Sequence, residues 1–383
     1  MNPRICMICS QFYPVVGGTE RQAENLAIEL KKKGYSVFIL TQRIKGIENK
    51  EVKDGITIYR KIVAPHLGLL FGISYIISVF LFLWGKRKQY DIIHCHIFYL
   101  HTISAVIIGK LFQKKVIVKL ACTSDFGEIQ TMQKEKKADF LLKIYRKADI
   151  FVSVSQEGIK ELKNIGIPES KIIYIPNSID TSKLFPVSDI EKIELKEKLF
   201  LDKEKKIVSF VGRLNLQKGV EYLLYAWQKV IKEYPQSLLL IIGDGPERKN
   251  LEQLSNGLKI KDTNIIFMGI KRNISDYLQA SNIFVLPSLS EGLSGALLEA
   301  MACGLPCIVT RIGGNIDLIE DRVSGLFVEQ ANVADLAEKI KYLSGNPRLE
   351  PLLGKNARLN VEKKFSLPIF VEEYIQLYKN LIK

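Results

Sequence analysis

Residues 283–310 read IFVLPSLSEGLSGALLEAMACGLPCIVT, and this order of residue types predicts a strand, a loop, a helix and a second strand. The apolar runs at the two ends, Ile283–Leu286 and Cys307–Thr310, have the length and composition of strands. Ser294 precedes a mostly apolar run, which predicts that a helix begins near this residue. A strand, a helix and a second strand in this order are typical of a parallel sheet covered by helices.

The same alternation extends along the rest of the chain. In the first half, strands are predicted at Ile5–Ser10, Ser36–Thr41, Thr57–Arg60, Asp91–His96, Val116–Leu120, Ile150–Val154 and Lys171–Ile175. In the second half, further strands are predicted at Ile207–Val211, Leu238–Ile242 and Asn264–Met268. Helical segments such as Thr19–Lys33 lie between several of these strands. We therefore predict an α/β protein with two Rossmann-like, doubly wound parallel sheets.

The length of 383 residues allows two domains, each with its own core. The polar segment PNSIDTSKLFP, residues 176–186, is bounded by prolines and is typical of a hinge. We predict an N-terminal domain over residues 1–180, a C-terminal domain over 181–365 and a final amphipathic helix within 366–383. Because ligands of open α/β sheets bind beyond the carboxyl ends of the strands, the site is expected in a cleft between the two domains.

Two glutamates eight residues apart lie on either side of the helix start predicted at Ser294. Glu291 is expected in the loop before the helix, and Glu299 one to two turns inside it. The backbone amides of Gly292–Gly295 would then offer hydrogen bonds to phosphate or sugar oxygens. A carboxylate at Glu299 could accept hydrogen bonds from both hydroxyls of a ribose, which would explain an acidic residue on an apolar helix.

Two cations follow the strand predicted at Ile207–Val211. Gly212 and Arg213 end this strand, and Lys218 follows five residues later. An arginine and a lysine on one such loop can bind a diphosphate through charge-assisted hydrogen bonds. Taken in isolation, however, this pair is interpreted by default as two solvated surface cations.

Paired glycines follow the first predicted strand. Gly17 and Gly18 lie in the sequence VVGGTE, residues 15–20, where a helix begins. They allow close approach of the backbone to an anionic ligand, or they form only a structural turn. The sequence is not GxGxxG, so it gives no support to a nicotinamide cofactor.

Segment 291–306, EGLSGALLEAMACGLP, resembles the E-x7-E motif of glycosyltransferase family 4. The resemblance extends over most of the chain, in matching order and spacing. It includes Phe210–Leu214 with Lys218-Gly219, the turn Gly243–Arg248, the linker 176–186, Gly313-Gly314 with Gly325-Leu326, and the loop Gly17–Glu20.

This resemblance implies a GT-B fold, in which two Rossmann-like domains face each other across a cleft and the last helix returns to the N-terminal domain. It implies a retaining transferase that uses a nucleoside-diphosphate sugar and a glycan or lipid-linked acceptor, as in surface polysaccharide biosynthesis. By the same resemblance, Arg213 and Lys218 neutralise the departing diphosphate, and Glu291 contacts the transferred sugar. The residues that bind the donor would be Gly17, Gly18, Gly212, Leu293, Ser294, Gly295 and Glu299. Neither a metal nor a cofactor is expected, because the two cations supply the charge that a divalent metal would otherwise provide.

The chain also departs from the family pattern. Many members have a histidine after the strand predicted at Val116–Leu120, and this chain has Ala121 there. Lys119 or Ser124 could take over a polar contact at that point. His94 and His96, on the preceding strand, are interpreted as structural or acceptor-side residues. The departure leaves open whether the histidine-dependent details of the family apply.

Charge and hydropathy point to an anionic membrane surface or a lipid-linked phosphate acceptor as partner. Residues 1–180 contain 27 basic and 16 acidic residues, a net charge of +11, whereas residues 181–383 carry only +3. Residues 67–84, LGLLFGISYIISVFLFLW, are uncharged and precede Lys86, Arg87 and Lys88. The stretch has the minimum length of a spanning helix, but the strands on its two sides are predicted to belong to one continuous sheet, which argues against a span. A helix that covers the sheet and dips partly into the membrane interface is preferred, and a buried core helix without a membrane role fits about equally well. No nucleic-acid-binding motif accompanies the charge.

Cysteines and the N-terminal residues indicate the compartment. Cys6 and Cys9, like Cys303 and Cys307, lack the partners of a zinc site. Cys6 and Cys9 lie in an apolar strand-like run and are expected to be buried thiols. The first residues lack the pattern of a signal peptide. The expected location is the cytoplasm, peripheral to the inner face of the cytoplasmic membrane.

Two other functions are compatible with this fold. One is a nucleotide-sugar epimerase, although the motif region offers no additional acid/base pair for it. The other is a non-catalytic, donor-binding partner of another transferase, which the alanine at 121 suggests. The oligomeric state and the identities of base, sugar and acceptor are not predicted.

Overall fold

A computed structural model describes residues 2–14, 17–64, 68–123, 127–134 and 138–382. It divides into two compact units. The first comprises Met1–Asn177 and Leu367–Lys383, and the second comprises Ser178–Ser366. The division falls inside the proline-bounded segment 176–186, three residues before the predicted border.

The strands alternate with helices along both units. The strands are β1 (Ile5–Ile8), β2 (Val37–Gln42), β3 (Lys50–Lys53), β4 (Ile56–Ile62), β5 (Ile92–Cys95), β6 (Lys115–Leu120), β7 (Ile150–Ser153), β8 (Ile172–Tyr174), β9 (Lys206–Val211), β10 (Ser237–Ile242), β11 (Ile265–Gly269), β12 (Ile283–Leu286), β13 (Cys307–Thr310) and β14 (Leu326–Val328). The helices are α1 (Gly18–Lys32), α2 (Gly68–Lys86), α3 (His101–Phe112), α4 (Glu128–Gln133), α5 (Ala138–Tyr145), α6 (Gln156–Asn164), α7 (Asp189–Lys198), α8 (Val220–Glu233), α9 (Arg248–Gly257), α10 (Ile274–Gln279), α11 (Gly295–Ala302), α12 (Asn315–Leu318), α13 (Val333–Ser344), α14 (Leu349–Lys364) and α15 (Leu367–Ile382).

The first unit contains a sheet with the strand order β3-β4-β2-β1-β5-β6-β7-β8. All neighbouring strands are parallel except β3 and β4, which form an antiparallel pair at the edge. The strand order reverses direction between β1 and β5, the position where open α/β sheets bind their ligands. The loop after β1 begins at this position and leads through Gly17 into α1, whose first residue is Gly18.

Helices cover both faces of this sheet. Successive side chains of a strand point to opposite faces, so each strand contributes residues to two cores. On β1, Cys6 and Ile8 pack into one core with α2 and α3. Ile5 and Met7 pack into the other core with α1 and α15. The strands therefore consist of nearly continuous apolar residues.

The apolar stretch predicted to be a helix at 67–84 forms α2. Tyr75, Val79 and Leu83, spaced four residues apart, are fully buried against the sheet. Among the described residues, no helix combines the length and the hydrophobicity needed to cross a membrane.

The second unit contains a parallel sheet with the strand order β11-β10-β9-β12-β13-β14. Its order reverses direction between β9 and β12, which pair through Ile283 and Val208. Helix α8 buries Trp227, whose indole N–H donates to the carbonyl oxygen of Asn264 at 2.8 Å. The predicted fold class, two doubly wound α/β units, is confirmed.

Two strands were not predicted from the sequence. β3 has the sequence KEVK and is half exposed, so it lacks the apolar run that marks the central strands. β14 has only three residues, Leu326–Val328. Because β3 pairs antiparallel with β4, this edge of the sheet departs from the purely parallel arrangement that was predicted.

Candidate functional site

The loop after β9 is held against the loop after β10. The backbone N–H of Leu214 donates to the carbonyl oxygen of Asp244 at 3.0 Å. A Cβ on Gly243 would overlap the carbonyl oxygen of Gly212, so this close approach requires glycine. Arg213 is exposed beside this contact, and no hydrogen bond or ion pair of its guanidinium is found within the described ranges.

Lys218 lies at the end of a short 3-10 helix, Leu216–Lys218, that precedes α8. Gly219 follows it with a φ of +62°, and a Cβ here would overlap the carbonyl oxygen of Pro287 after β12. The side-chain amide of Gln217 donates to the carbonyl oxygen of Ser290 at 3.0 Å. The carbonyl oxygen of Gln217 in turn accepts from the N–H of Leu289 at 2.7 Å. These contacts join the β9 loop to the β12 loop.

Glu291 and Lys218 form an ion pair across this junction. Lys218 Nζ donates to Glu291 Oε1 at 2.6 Å. Ser288 Oγ donates to the same carboxylate oxygen at 2.7 Å. Glu291 is only 5% exposed, so solvent screens this interaction weakly.

Helix α11 begins next to this ion pair. Ser294 caps its N-terminus by accepting a hydrogen bond from the N–H of Leu297, and the helix begins at Gly295 as predicted. Glu299 is the fifth residue of the helix and is 6% exposed. Leu293 is also buried. A Cβ on Gly314, after β13, would overlap the carbonyl oxygen of Gly292, so a third loop packs onto this helix start.

The structure therefore brings the second-unit residues of the predicted site to one place. Four strand-end loops, those after β9, β10, β12 and β13, meet at the carboxyl edge of the sheet where the strand order reverses. The predicted residues there are Gly212, Arg213, Lys218, Glu291, Leu293, Ser294, Gly295 and Glu299. An exposed guanidinium, a lysine and a helix N-terminus at such a position can bind an anionic ligand.

The predicted glycines Gly17 and Gly18 belong to the first unit. Gly17 precedes α1, and its N–H donates to the carboxylate of Glu20. Burial of that carboxylate raises the pKa of Glu20. Val15 and Val16, in the same sequence motif, lie outside the described residues. The local geometry is that of a turn that leads into a helix, which matches the structural alternative. A role of Gly17 and Gly18 in donor binding stays a prediction.

His94 and His96 lie inside the core of the first unit. His94 Nδ1 is 2.8 Å from the hydroxyl of Tyr378 on α15, and the two imidazole rings are 4.1 Å apart. Burial lowers the pKa of His94 to about 3 and holds the pKa of His96 well below its ordinary value. Both imidazoles are therefore neutral at physiological pH and pack as structural groups.

Lys119 is also buried, so it does not present its charge at the strand end. Its Nζ donates to Asn177 Oδ1 at 2.8 Å, and burial lowers the pKa of Lys119 to about 8. Ser124, the other residue considered beside Ala121, lies outside the described residues.

Glu128, which was not predicted as a functional residue, organises the loop that contains Ala121. Its carboxylate accepts hydrogen bonds from the N–H groups of Ala121 and Cys122, both at 3.0 Å, and of Phe98 at 2.8 Å. Burial raises the pKa of Glu128 to about 8. Glu128 thus joins the loops that follow β5 and β6, contacts that no local sequence pattern marks.

No cluster of three or more His, Cys, Asp or Glu residues suited to a metal ion occurs in the part of the chain that the structure describes. The cysteines are free thiols. Cys6, Cys9, Cys95, Cys303 and Cys307 are buried, and Cys122 is partly exposed.

Comparison with known families matches both halves of the chain. A model described as Glycosyltransferase Family 4 matches residues 16–183, and one described as Glycosyl transferases group 1 matches residues 191–360. The N-acetyl-alpha-D-glucosaminyl L-malate synthase of Bacillus anthracis is 26% identical to this chain, over 100% of this chain and 98% of its own length. The UDP-Gal:alpha-D-GlcNAc-diphosphoundecaprenol alpha-1,3-galactosyltransferase of Escherichia coli is 28% identical, over 83% of this chain and 82% of its own length.

Solved structures show the same fold at lower identity. Anabaena HepE in complex with UDP and glucose superimposes with a TM-score of 0.82 at 17% identity, and covers 98% of this chain and 99% of its own. Sucrose-phosphate synthase from Thermosynechococcus elongatus superimposes with a TM-score of 0.85 at 22% identity, and covers 99% of both chains.

Proposed function

This chain belongs to glycosyltransferase family 4 and has the GT-B fold, and on that premise we propose that it transfers a sugar, with retention of anomeric configuration, from a nucleoside-diphosphate sugar to a lipid-linked glycan acceptor. The observation that carries this proposal is the junction of the β9 and β12 loops. There the Lys218–Glu291 ion pair joins the two loops at the strand-order reversal. The β9 loop, which carries Lys218, also carries the exposed Arg213.

The proposed roles follow from the charge of the groups. Arg213 and Lys218 bind the diphosphate oxygens and stabilise the negative charge that develops as the bond between the sugar carbon and the phosphate oxygen breaks. The acceptor hydroxyl forms the new bond to the sugar carbon, and its proton passes to the departing phosphate. With two cations for this task, the reaction is proposed to need no divalent metal.

The glutamates and the helix start orient the donor. Glu299 is proposed to hold the ribose hydroxyls. Glu291, with the amides near Leu293 and Ser294, is proposed to contact the transferred sugar and the phosphate next to it. A helix N-terminus favours the negative phosphate because its backbone N–H groups carry partial positive charge.

The acceptor class is proposed from relatives. The names of the Escherichia coli enzyme and of a Campylobacter jejuni enzyme that is 31% identical over 62% of this chain both include a diphospho-undecaprenol acceptor. With the basic first half of this chain, these names support a role in surface polysaccharide synthesis at the inner face of the cytoplasmic membrane.

The test is nucleotide binding by calorimetry and thermal shift, with UDP first because HepE binds UDP in its solved complex, followed by GDP and ADP. One diphosphate is expected to stabilise the protein selectively. Arg213→Ala should weaken that binding about ten- to hundredfold, the effect of losing charge-assisted hydrogen bonds. Arg348→Ala removes an exposed arginine at the start of α14 and should leave binding unchanged.

Turnover separates the proposed function from its alternatives. Transfer from the selected donor to a diphospho-undecaprenol glycan, unaffected by EDTA, is the expected result, with the anomeric configuration of the product assigned by NMR. Epimerisation of the donor without an acceptor would favour an epimerase. Tight binding without any reaction would favour a non-catalytic donor-binding protein, and no binding of any nucleotide would refute the proposed site.

A further inference from the structure

Helix α2 exposes an apolar stripe along one side. Large apolar side chains recur every three or four residues on this side and are 45–63% exposed, namely Leu70, Ile73, Ile77, Leu81 and Trp84. At 1.5 Å per residue, the stripe is about 21 Å long. Exposed apolar patches of this extent mark interaction surfaces more often than scattered apolar residues do.

The opposite side of α2 already packs against the sheet, so the stripe cannot be buried by rotating the helix. Val79 and Leu83 are fully buried there. Tyr75 is buried as well, with its hydroxyl 3.2 Å from His101 Nδ1 and 3.3 Å from Ser10 Oγ. The helix is thus apolar on two sides, and only one of them faces the core.

Helix α3 extends the exposed surface. It packs beside α2, with Ser104 Oγ donating to the carbonyl oxygen of Ile76 at 2.7 Å. Trp84 and Phe112, near the ends of the two helices, have ring centroids 5.6 Å apart. The exposed apolar residues of α3 are Ile107 and Leu111, which are 37% and 59% exposed. We call the exposed stripe of α2 together with Ile107 and Leu111 the α2–α3 face.

Basic residues predominate next to this face. From residue 55 to residue 124 the sequence contains nine basic residues, of which Arg60 and Lys119 are buried, and one acidic residue, Asp91. The carboxylate of Asp91 is already paired with Arg4, at 2.7 Å. Helix α5, which packs against α3, adds one exposed carboxylate, Asp139.

Lys88 and Lys110 are exposed next to the apolar stripe, and the guanidinium of Arg87 lies over the ring of Phe112 at 5.4 Å. A surface that combines exposed apolar side chains with a strong excess of cations complements an anionic lipid surface.

We propose that the α2–α3 face docks on an anionic membrane, with α2 parallel to the surface, its apolar stripe in the interfacial layer and its basic residues at the lipid phosphates. Trp84 suits this interfacial position because tryptophan is enriched at the membrane–water interface. A second copy of the chain is a poorer partner, because two such faces would bring like charges together. The inference rests on the proposed lipid-linked acceptor and specifies how the protein would reach it.

The experiment is sedimentation of the full chain with vesicles of phosphatidylglycerol and phosphatidylcholine, and with vesicles of phosphatidylcholine alone. The wild type is expected to bind the anionic vesicles, and added salt should weaken this binding. Two double variants should each lower the partition coefficient at least about tenfold. Ile77→Glu/Leu81→Glu removes apolar contact with the interfacial layer. Lys88→Glu/Lys110→Glu removes two basic residues, each of which contributes about fivefold near an anionic surface.

Matched controls come from the second unit. Leu352 on α14 is 56% exposed, close to the 63% of Leu81, and Leu352→Glu should leave vesicle binding unchanged. Lys249→Glu/Lys355→Glu makes the same change in net charge as the basic pair, at two exposed lysines of α9 and α14. Circular dichroism and thermal unfolding check that every variant is folded.

Three results would overturn the proposal: no binding of anionic vesicles, equal loss of binding in the controls, or self-association that Ile77→Glu/Leu81→Glu abolishes without an effect on lipid. The proposed function is tested separately, because Arg213→Ala should lose nucleotide binding and keep vesicle binding. Vesicle binding without nucleotide binding would retain the docking face and refute the transferase assignment. Nucleotide binding and transfer without vesicle binding would refute the docking face and retain the transferase assignment.

Discussion

The partners of Glu291 in the candidate site include two of different kinds, a hydroxyl and an ammonium group. Its carboxylate accepts from Ser288 and pairs with Lys218, whose proposed partner during catalysis is the donor diphosphate. A carboxylate next to a phosphate site repels the ligand, yet it also holds the lysine in place. The free energy of diphosphate binding therefore depends on which of these two effects is larger.

We expect repulsion to be the larger effect, because Lys218 is also positioned by its backbone. Gln217 anchors the same short helix to the β12 loop through two hydrogen bonds. Glu291→Gln should then tighten binding of the nucleoside diphosphate about fivefold, an effect of about 1 kcal/mol, while transfer is lost. Calorimetry and a transfer assay measure the two quantities.

Glu350→Gln is the matched control for Glu291→Gln. It removes the carboxylate that pairs with Lys206 elsewhere in the second unit, and it should change neither binding nor transfer. Weaker diphosphate binding by Glu291→Gln would show instead that the carboxylate is needed to orient the lysine.

At the scale of elements, the sequence predicted the helix starts and strand bounds that depend on residues close together in the chain. The helix after Ser294 begins where its capping serine predicted, and Cys307–Thr310 was assigned its observed bounds. The edge strand Lys50–Lys53 was missed because it is stabilised by pairing with its neighbour and not by an apolar core. The contacts of Ser288 and Glu128 were missed because they depend on loops that meet only after the sheet has formed.

Gly219 shows how such a contact constrains one position. Its φ is +62°, and a Cβ would overlap the carbonyl oxygen of Pro287. Gly219→Ala should therefore separate the β9 loop from the β12 loop, destabilise the protein by about 2 kcal/mol and weaken diphosphate binding. Urea unfolding and calorimetry measure these changes.

Gly257, the last residue of α9, is the control for that substitution. Nothing lies within 4 Å of a Cβ built there. Gly257→Ala should be neutral or should stabilise the protein by up to about 1 kcal/mol, because alanine favours the helix. If Gly219→Ala binds the diphosphate and unfolds like the wild type, as Gly257→Ala should, the β9 and β12 loops do not depend on the close contact of Gly219 with Pro287.

At the scale of the whole molecule, the order of motifs predicted the family and the fold class, and both are confirmed. The sequence also predicted two strand–helix systems, since apolar runs alternate with amphipathic ones in both halves. The strand order within each sheet is not encoded in any one segment, because it depends on which runs pair over long distances. The order places the sequence motifs at the two points where the direction of strand addition reverses.

The histidines give the two units different responses to acid. All four histidines of the chain lie among its first 101 residues, and His94, His96 and His101 are buried in the first unit. Burial lowers the pKa of His94 to about 3 and of His101 to about 4, whereas an unfolded chain binds protons near pH 6.5. Between these values the unfolded state holds more protons, so the stability of the first unit falls as the pH falls.

Between pH 7 and pH 5, His94 and His101 should each cost roughly 2 kcal/mol of stability, and His96, whose pKa is also lowered, acts in the same direction. Glu128 acts in the opposite direction, because its pKa is raised to about 8 and its buried carboxyl is more stable when protonated. Burial also raises the pKa of Glu20 and Glu373, which act in the same direction as Glu128. We expect the three buried histidines to outweigh these carboxyls. Hydrogen exchange, corrected for its intrinsic pH dependence, should show a lower opening free energy at pH 5 for the amides of β5, with little change for those of β9, whose unit contains no histidine. Equal losses in the two units would show that the buried histidines do not control the acid response.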